Sequence, residues 1–395
     1  MIKPLENVKI LDLSRVLAGP LGSMILADLG ADVIRVEAPE GKDDIRHWWP
    51  FIEDSSTYYL SANRNKKSMT INLKKQAGRE LFLDFVKDAD VVIENFKTGT
   101  MDRLGIGYEE LKKVNDQIIL CSVTGYGQTG PLKGNPGYDP VIQAVGGLMD
   151  VTGEPDGNPT RVGTPVVDIM ASHYVGISVL SSLMLRDKQQ VGQHIDLSLL
   201  DVQVGSLANI ASSYLIKNHV STRVGNAHGN ITPYETFMCM DKLIMVAAGN
   251  DRMFQSLCQA MERPEWAELE EYKTNGLRIQ HRQELRALLE ERFKDKTAYE
   301  WESVLVDHNV PCGAVNNVEQ VFEHPQVKAR EMVQEYDHPT LGRLKTVRSP
   351  LRFSSFEPDV KDAPPELGQH TEDILSEERG LSKQEIEMLK KNGII

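Results

Sequence analysis

Short runs of β-branched and apolar residues alternate with segments of helical spacing through the first third of the chain, and this alternation leaves few folds open. Residues 8–14 (VKILDLS) and Asp32–Glu37 read as strands, and between them Leu21, Met24, Ile25 and Leu29 fall at the three- and four-residue intervals of one helix face. Residues 69–73, 90–94 and 117–123 repeat the strand pattern, with a helical stretch at 76–87. Strands joined through helices run parallel with right-handed crossovers, so the pattern predicts a doubly wound α/β sheet. Residues 168–185 are expected to form a long helix, 194–198 the last strand of the sheet, and 201–216 another helix. After residue 225 the character changes to a hairpin at 234–248 and charged helices from 251 to 307, and strand-like runs resume at 331. Three segments follow: a large domain at 1–225, a small α+β domain at 226–330, and a segment at 331–395 that returns to the large domain.

A net charge of −13 over 395 residues argues against nucleic acid as a partner, and any anionic ligand then needs a local basic cluster. Cys121, Cys239, Cys258 and Cys312 are widely spaced without a CxxC pair, so neither a disulfide framework nor a zinc site is expected. The first residues carry no signal-peptide core. The most apolar stretch, 169–185, contains Ser172, His173 and Ser178, which suits a buried helix better than a membrane span. A cytoplasmic protein without a membrane partner is the expectation.

The turn at residues 15–22 (RVLAGPLG) lacks GxGxxG spacing and holds Pro20, so a phosphate-binding turn and a plain helix start both stay open. Asn63–Lys67, Lys74, Asn95, Phe96, Lys97 and Arg103 lie beyond or beside successive strands and would converge on one sheet edge, although charge runs are also ordinary solvated surface. Asp168 stands before an apolar helical run. Aspartate there serves as an N-cap worth about 1 kcal/mol. It is also a carboxylate that the helix dipole keeps ionised, as a carboxylate nucleophile requires. The segments around His228 and Gly249 read as turns or as backbone donors to an oxyanion. GxSxG, HExxH, a Walker loop and paired His/Cys spacing are all missing, so no metal is expected.

Taken in order, residues 11–20 (LDLSRVLAGP), 30–37 (GADVIRVE), 63–68 (NRNKKS), 94–96 (ENF), 125–131 (GYGQTGP), 137–139 (GYD), the Asp168 helix and 367–371 (LGQHT) resemble the class III CoA-transferase family over essentially the whole chain. The resemblance implies a Rossmann-like large domain plus a smaller domain in an interlocked homodimer. It implies an enzyme that passes CoA between carboxylic acids with Asp168 as covalent catalyst. An acyl-CoA thioester and a carboxylic acid are then the substrates, and no cofactor is tightly bound. CoA contacts are implied at Val16, Ile71, Leu73, Lys74, Asn95, Phe96 and Arg103, and active-site aromatics at Trp48 and Tyr138. Leu17 replaces a glutamine of the oxalate-using members, and their gating-loop run of glycines is absent. Residues 227–234 and 248–250, with His228 and Gly249, are similar to members that act on dicarboxylates, which implies succinyl-CoA as donor and an acceptor such as glutarate. Arg15, Arg46 and His228 are candidates for its distal carboxylate. The alternative on the same fold is an α-methylacyl-CoA racemase. It needs two acid–base groups, and where racemases carry a histidine this chain has Tyr138, a phenol with an ordinary pKa of about 10. A nicotinamide-dependent dehydrogenase and a non-catalytic acyl-CoA-binding protein complete the alternatives.

Overall fold

Six parallel strands build the main sheet: β1 (Lys9–Asp12), β2 (Asp32–Glu37), β3 (Lys66–Thr70), β4 (Val91–Glu94), β5 (Ile119–Thr124) and β6 (Gln193–Ser198), in the order β3-β2-β1-β4-β5-β6. The computed structural model describes residues 3–395; Met1 and Ile2, part of the stretch read above as lacking a signal-peptide core, lie outside them. Ile10 pairs with Val33 on one side and Val91 on the other. Alternate residues of each strand enter opposite layers, as the two-residue period of a strand dictates. Ile10, Val91 and Ile93 join a core with Val167, Ala171 and Val175 of the long helix, whereas Leu11 and Val92 join Phe82 and Phe85 on the other face.

Helix α1 (Ala18–Asp28) links β1 to β2, and α2 (Gln76–Val86) links β3 to β4. The short α3 (Asp139–Val145) precedes α4 (Val166–Gln189), which packs on α1. By length and a mean hydropathy of 1.4, α4 would be able to cross a bilayer, yet 44% of that stretch is buried inside the protein. The expected helix at 201–216 is two helices, Leu199–Ser206 and Ala208–Lys217, bent by 75° at their junction. Strand β3 begins three residues earlier than expected. Its first residue, Lys66, is fully buried and donates to Asp12 Oδ2 (3.1 Å), Pro20 O (2.8 Å) and Asn63 Oδ1 (2.9 Å), so a charged residue opens a core strand.

The chain divides into two units. One comprises the residues up to Leu148, Arg161–Ser212 and Lys328–Ile395; the other comprises Met149–Thr160 and Ser213–Val327. The excursion at 149–160 lies inside the stretch assigned to the large domain from sequence. It is tied into the second unit by Arg223 Nη1, which donates to Asp150 O (2.9 Å), and by Gly225 N, which donates to Gly153 O (3.0 Å). The second unit has an antiparallel sheet of β7 (Tyr234–Met238), β8 (Leu243–Ala247) and β9 (Cys312–Ala314), with β8 in the middle. Phe237, Phe254, Leu289, Phe293 and Trp301 fill its core, and the Trp301 indole donates to Phe293 O at 2.9 Å.

In the first unit, residues 328–395 supply the antiparallel hairpin β10 (Val333–His338) and β11 (Gly342–Val347) and then close beside β3. His370 N donates to Ser68 O (2.9 Å), Thr70 N to Thr371 Oγ1 (3.0 Å) and Asn72 N to Ile394 O (2.7 Å).

Candidate active site

The strand order reverses between β1 and β4, and ligands of doubly wound sheets bind beyond the carboxyl ends of the strands at such a point. Here the chain leaving β1 is clasped by the chain leaving β4. Arg15 N donates to Asn95 Oδ1 (2.8 Å), and Asn95 Nδ2 donates back to Arg15 O (2.7 Å). Val16 adopts φ +61°, a left-handed conformation that costs a β-branched residue about 1–3 kcal/mol. Its N–H donates to Asp43 Oδ1 at 3.1 Å. Phe96 N donates to Glu94 Oε2 at 2.8 Å, and the Arg15 guanidinium lies 5.1 Å from the Phe96 ring centroid. Burial pushes the Glu94 carboxyl up to about 7, the hydrogen bonds from Ser122 and Phe96 notwithstanding.

A buried ionic frame supports this edge. Arg35 pairs with Asp43 and with Glu37, and Arg46 grips Glu37 through both carboxylate oxygens (2.8 and 2.7 Å) while stacking 3.7 Å over Tyr59. Burial alone would raise the Glu37 carboxyl, but Arg35, Arg46 and Ser68 hold it down to about 2. Arg46, expected from sequence to meet a substrate carboxylate, is instead committed to Glu37 and Tyr59.

Two adjoining hollows share Arg15, Phe96 and Lys97 and so form one cleft. The outer part, about 400 Å³, is walled by Val36, Ile71, Leu73, Lys74 and Phe96; the inner part, about 310 Å³, by Arg15, Val16, Asn95, Tyr138 and Asp168. Six of the seven expected CoA contacts, Val16, Ile71, Leu73, Lys74, Asn95 and Phe96, therefore line it. Arg103 is exposed at its side, donating to Oγ1 of the lining residue Thr100 at 2.8 Å. Lys42, which the sequence reading passed over, also lines the outer part. With Lys74, Lys97 and Arg15 it supplies the local cations that a protein of charge −13 needs to hold an anion.

Asp168 is the third residue of α4 and not its cap. Pro165 occupies the cap position with no side-chain cap, and the free N–H groups are met from α3: Asp139 Oδ2 accepts from Val167 N (2.8 Å) and Asp168 N (3.3 Å). The expectation that the helix dipole keeps Asp168 readily ionised is also overturned. Burial, together with the neighbouring Asp139 charge, pushes its carboxyl up to about 7. Tyr58 shares this environment, its phenol raised by burial and by the charges of Asp168 and Asp139. Trp48 meets Tyr58 edge-on at 5.5 Å. Gly125 and Gly137 stand back to back, and a Cβ on Gly125 would come 2.6 Å from Gly137 Cα. Glycine at 125 thus lets two backbone segments that both line the inner part of the cleft approach each other closely.

His228 and Gly249 belong to the second unit. His228 stacks on Tyr234 (5.2 Å), donates its backbone N–H to Tyr234 O (2.8 Å) and accepts Asn230 N–H at Nδ1 (3.1 Å). Gly249 precedes Asn250, whose side chain caps the helix Asp251–Ala260, and the space where a Cβ would stand is open.

A model of CoA-transferase family III matches residues 5–371. Succinyl-CoA:glutarate CoA-transferase of Homo sapiens is 44% identical over 377 residues, 95% of this chain and 86% of the human protein. Succinate–glutarate CoA-transferase of Agrobacterium fabrum is 39% identical over 95% of each chain. The crystal structure of a CAIB/BAIF family protein from Brucella suis matches with a TM-score of 0.86 at 42% identity, over 95% of this chain and 100% of that one. A match of this extent, running through both units and meeting a cleft at the switch point, identifies the chain as a member of CoA-transferase family III and an enzyme of the CoA-transferase type.

Proposed function

We propose that the enzyme moves CoA from succinyl-CoA to a dicarboxylic acid such as glutarate, with Asp168 as the covalent carrier. The observation that carries this reading is the single cleft that runs from the Arg15–Asn95 clasp and its lysines to the Asp168 carboxylate. The named substrates of the human and Agrobacterium relatives support the choice of acids. CoA lies along the cleft, its phosphates toward Lys42, Lys74 and Lys97. An Asp168 oxygen attacks the thioester carbonyl; the C–O bond forms, the C–S bond breaks, and CoA thiolate leaves a mixed anhydride behind. The thiolate then attacks Cγ of Asp168 and expels succinate, giving an aspartyl-CoA thioester. Glutarate reverses both steps, regenerating the Asp168 carboxylate and releasing glutaryl-CoA. Every step exchanges one acyl bond for another without net proton transfer, which suits a carboxylate nucleophile. Water has to be kept out, because it would hydrolyse the anhydride.

Attack requires ionised Asp168, so kcat/KM should fall on the acid side of about pH 7. Arg15, Trp48 and Tyr138 of the first unit are assigned to acyl-group and acceptor recognition. A homodimer would cover the exposed face of α4, where Tyr174, Ile177 and Met184 lie at helical spacing. The free cysteines suit a reducing compartment such as the cytoplasm. Incubation with succinyl-CoA and an equimolar panel of glutarate, oxalate, formate and carnitine, with mass spectrometry of the CoA products, tests the reading. Glutaryl-CoA is the expected product. Exclusive formation of monocarboxylate thioesters, or release of free CoA alone, would overturn it.

A further inference from the structure

Asp139 is 4% exposed and sits at the start of α3, yet its side chain is spent on another helix. Through Oδ2 it accepts Val167 N–H (2.8 Å) and Asp168 N–H (3.3 Å), and through Oδ1 it accepts Gln143 Nε2 (2.6 Å). Gln143 is fully buried, and its Oε1 accepts Val162 N–H (2.8 Å). The segment that enters α4 is therefore fastened to α3 at both ends by one Asp–Gln pair. Among the described residues no lysine or arginine pairs with Asp139. Its surroundings are the Gln143 amide from its own helix, the Val167 and Asp168 backbone N–H groups and the Asp168 carboxylate from α4, and the Tyr58 phenol from the short helix Thr57–Leu60.

We propose that Asp139 is the positioning residue of the transfer: it fixes the turn that carries Asp168, and its charge repels that of Asp168 and so favours the acylated enzyme over the resting one. The proposal rests on the reading of Asp168 as the covalent carrier. When Asp168 forms the anhydride or the thioester, its negative charge passes to the departing thiolate or carboxylate, and the side chain left beside Asp139 is neutral. Repulsion between the two carboxylates is then relieved. Both covalent intermediates gain equally, because both are neutral at Asp168. Three N–H groups, from Val167, Asp168 and the Gln143 amide, face the two carboxylate oxygens of Asp139.

The test follows the Asp168 carboxyl directly, by carbon NMR of full-length protein labelled at aspartate, without substrate; Asp168→Asn identifies its signal. Asp139→Asn keeps an acceptor and removes the charge, and the Asp168 midpoint should drop by about one pH unit, the usual scale of such environmental shifts. The acid limb of kcat/KM should move the same way, with kcat reduced and KM for succinyl-CoA retained, and Asp139→Glu should restore most of kcat. Gln143→Met takes a donor from Asp139 and leaves its charge, so the midpoint should move the other way, upward. An unmoved midpoint in folded Asp139→Asn overturns the proposal. Should that variant fail to fold, an unmoved midpoint in Gln143→Met does the same. A wild-type protein that transfers no CoA would end the functional reading, while the NMR midpoints would still decide the role of Asp139.

Discussion

Replacing Asp168 with asparagine is expected to remove a pH-dependent cost that the native protein carries. Burial, with Asp139 beside it, raises this carboxyl from 3.8 to about 7. The folded protein thus holds the proton more tightly than the unfolded chain does. By linkage, the cost of ionising Asp168 in the fold is absent below roughly pH 4, builds between about pH 4 and 7, and is complete above about pH 7. About three pH units at ~1.4 kcal/mol each set a ceiling of about 4 kcal/mol. The side chain keeps some access to solvent, where charge is screened, and this brings the expectation down to about 2 kcal/mol. Asp168→Asn should therefore exceed wild type in stability by about 2 kcal/mol near pH 8, and the gap should close toward about pH 4. The helix start is not at risk, because the cap comes from Asp139 and not from Asp168. Urea unfolding followed by circular dichroism across this range measures the gap, with the transitions of the two units fitted separately. A gap that does not change with pH, or a wild type more stable than the variant near pH 8, would refute the reasoning.

Gly125→Ala should push the 137–139 segment off its place, since the new Cβ would meet Gly137 Cα at 2.6 Å. A misplacement of this size costs kcat on the order of 10²-fold, and steady-state kinetics with full kcat would show that the two backbones can part freely. Arg46→Ala leaves Glu37 buried with only Arg35 as its charged partner and should cost about 3 kcal/mol. The urea midpoint at neutral pH reads this loss, and a KM for glutarate that rises while stability is unchanged would instead return Arg46 to the substrate.

The parallel sheet is legible in the sequence because strands covered on both faces become short unbroken apolar runs, as at 91–93 and 118–121. Legibility ends where the partner lies far along the chain. The start of α4 is two residues earlier than the sequence suggests because its cap is supplied by Asp139, 28 residues before Val167. Strand β3 is disguised by Lys66, a residue that marks solvent unless Asp12 is known to wait for it 54 residues away. The left-handed turn at Val16 leaves no local signal at all, since valine is among the residues least suited to it. Part of the cleft lining is more accessible to reading, because Lys74, Asn95, Phe96 and Lys97 lie beyond strands and the switch point brings strand ends together, whereas Val16, Ile71 and Leu73 come only from the family resemblance.

The closing of residues 366–371 over β3 also fixes an order of events during synthesis. β3 is an edge strand, and Ser68 bonds to His370, 302 residues further along. At a translation rate of roughly 5–20 residues per second, that edge waits for about 15 to 60 s before its cover leaves the ribosome. The whole second unit is made in the interval and is free to fold on its own. For that time the nascent first unit presents open backbone donors and acceptors, the kind of edge that invites pairing with another chain. The enzyme is therefore exposed to aggregation on polysomes carrying several copies of the same message, and a chaperone that shields a strand edge would act on this chain before its synthesis is complete.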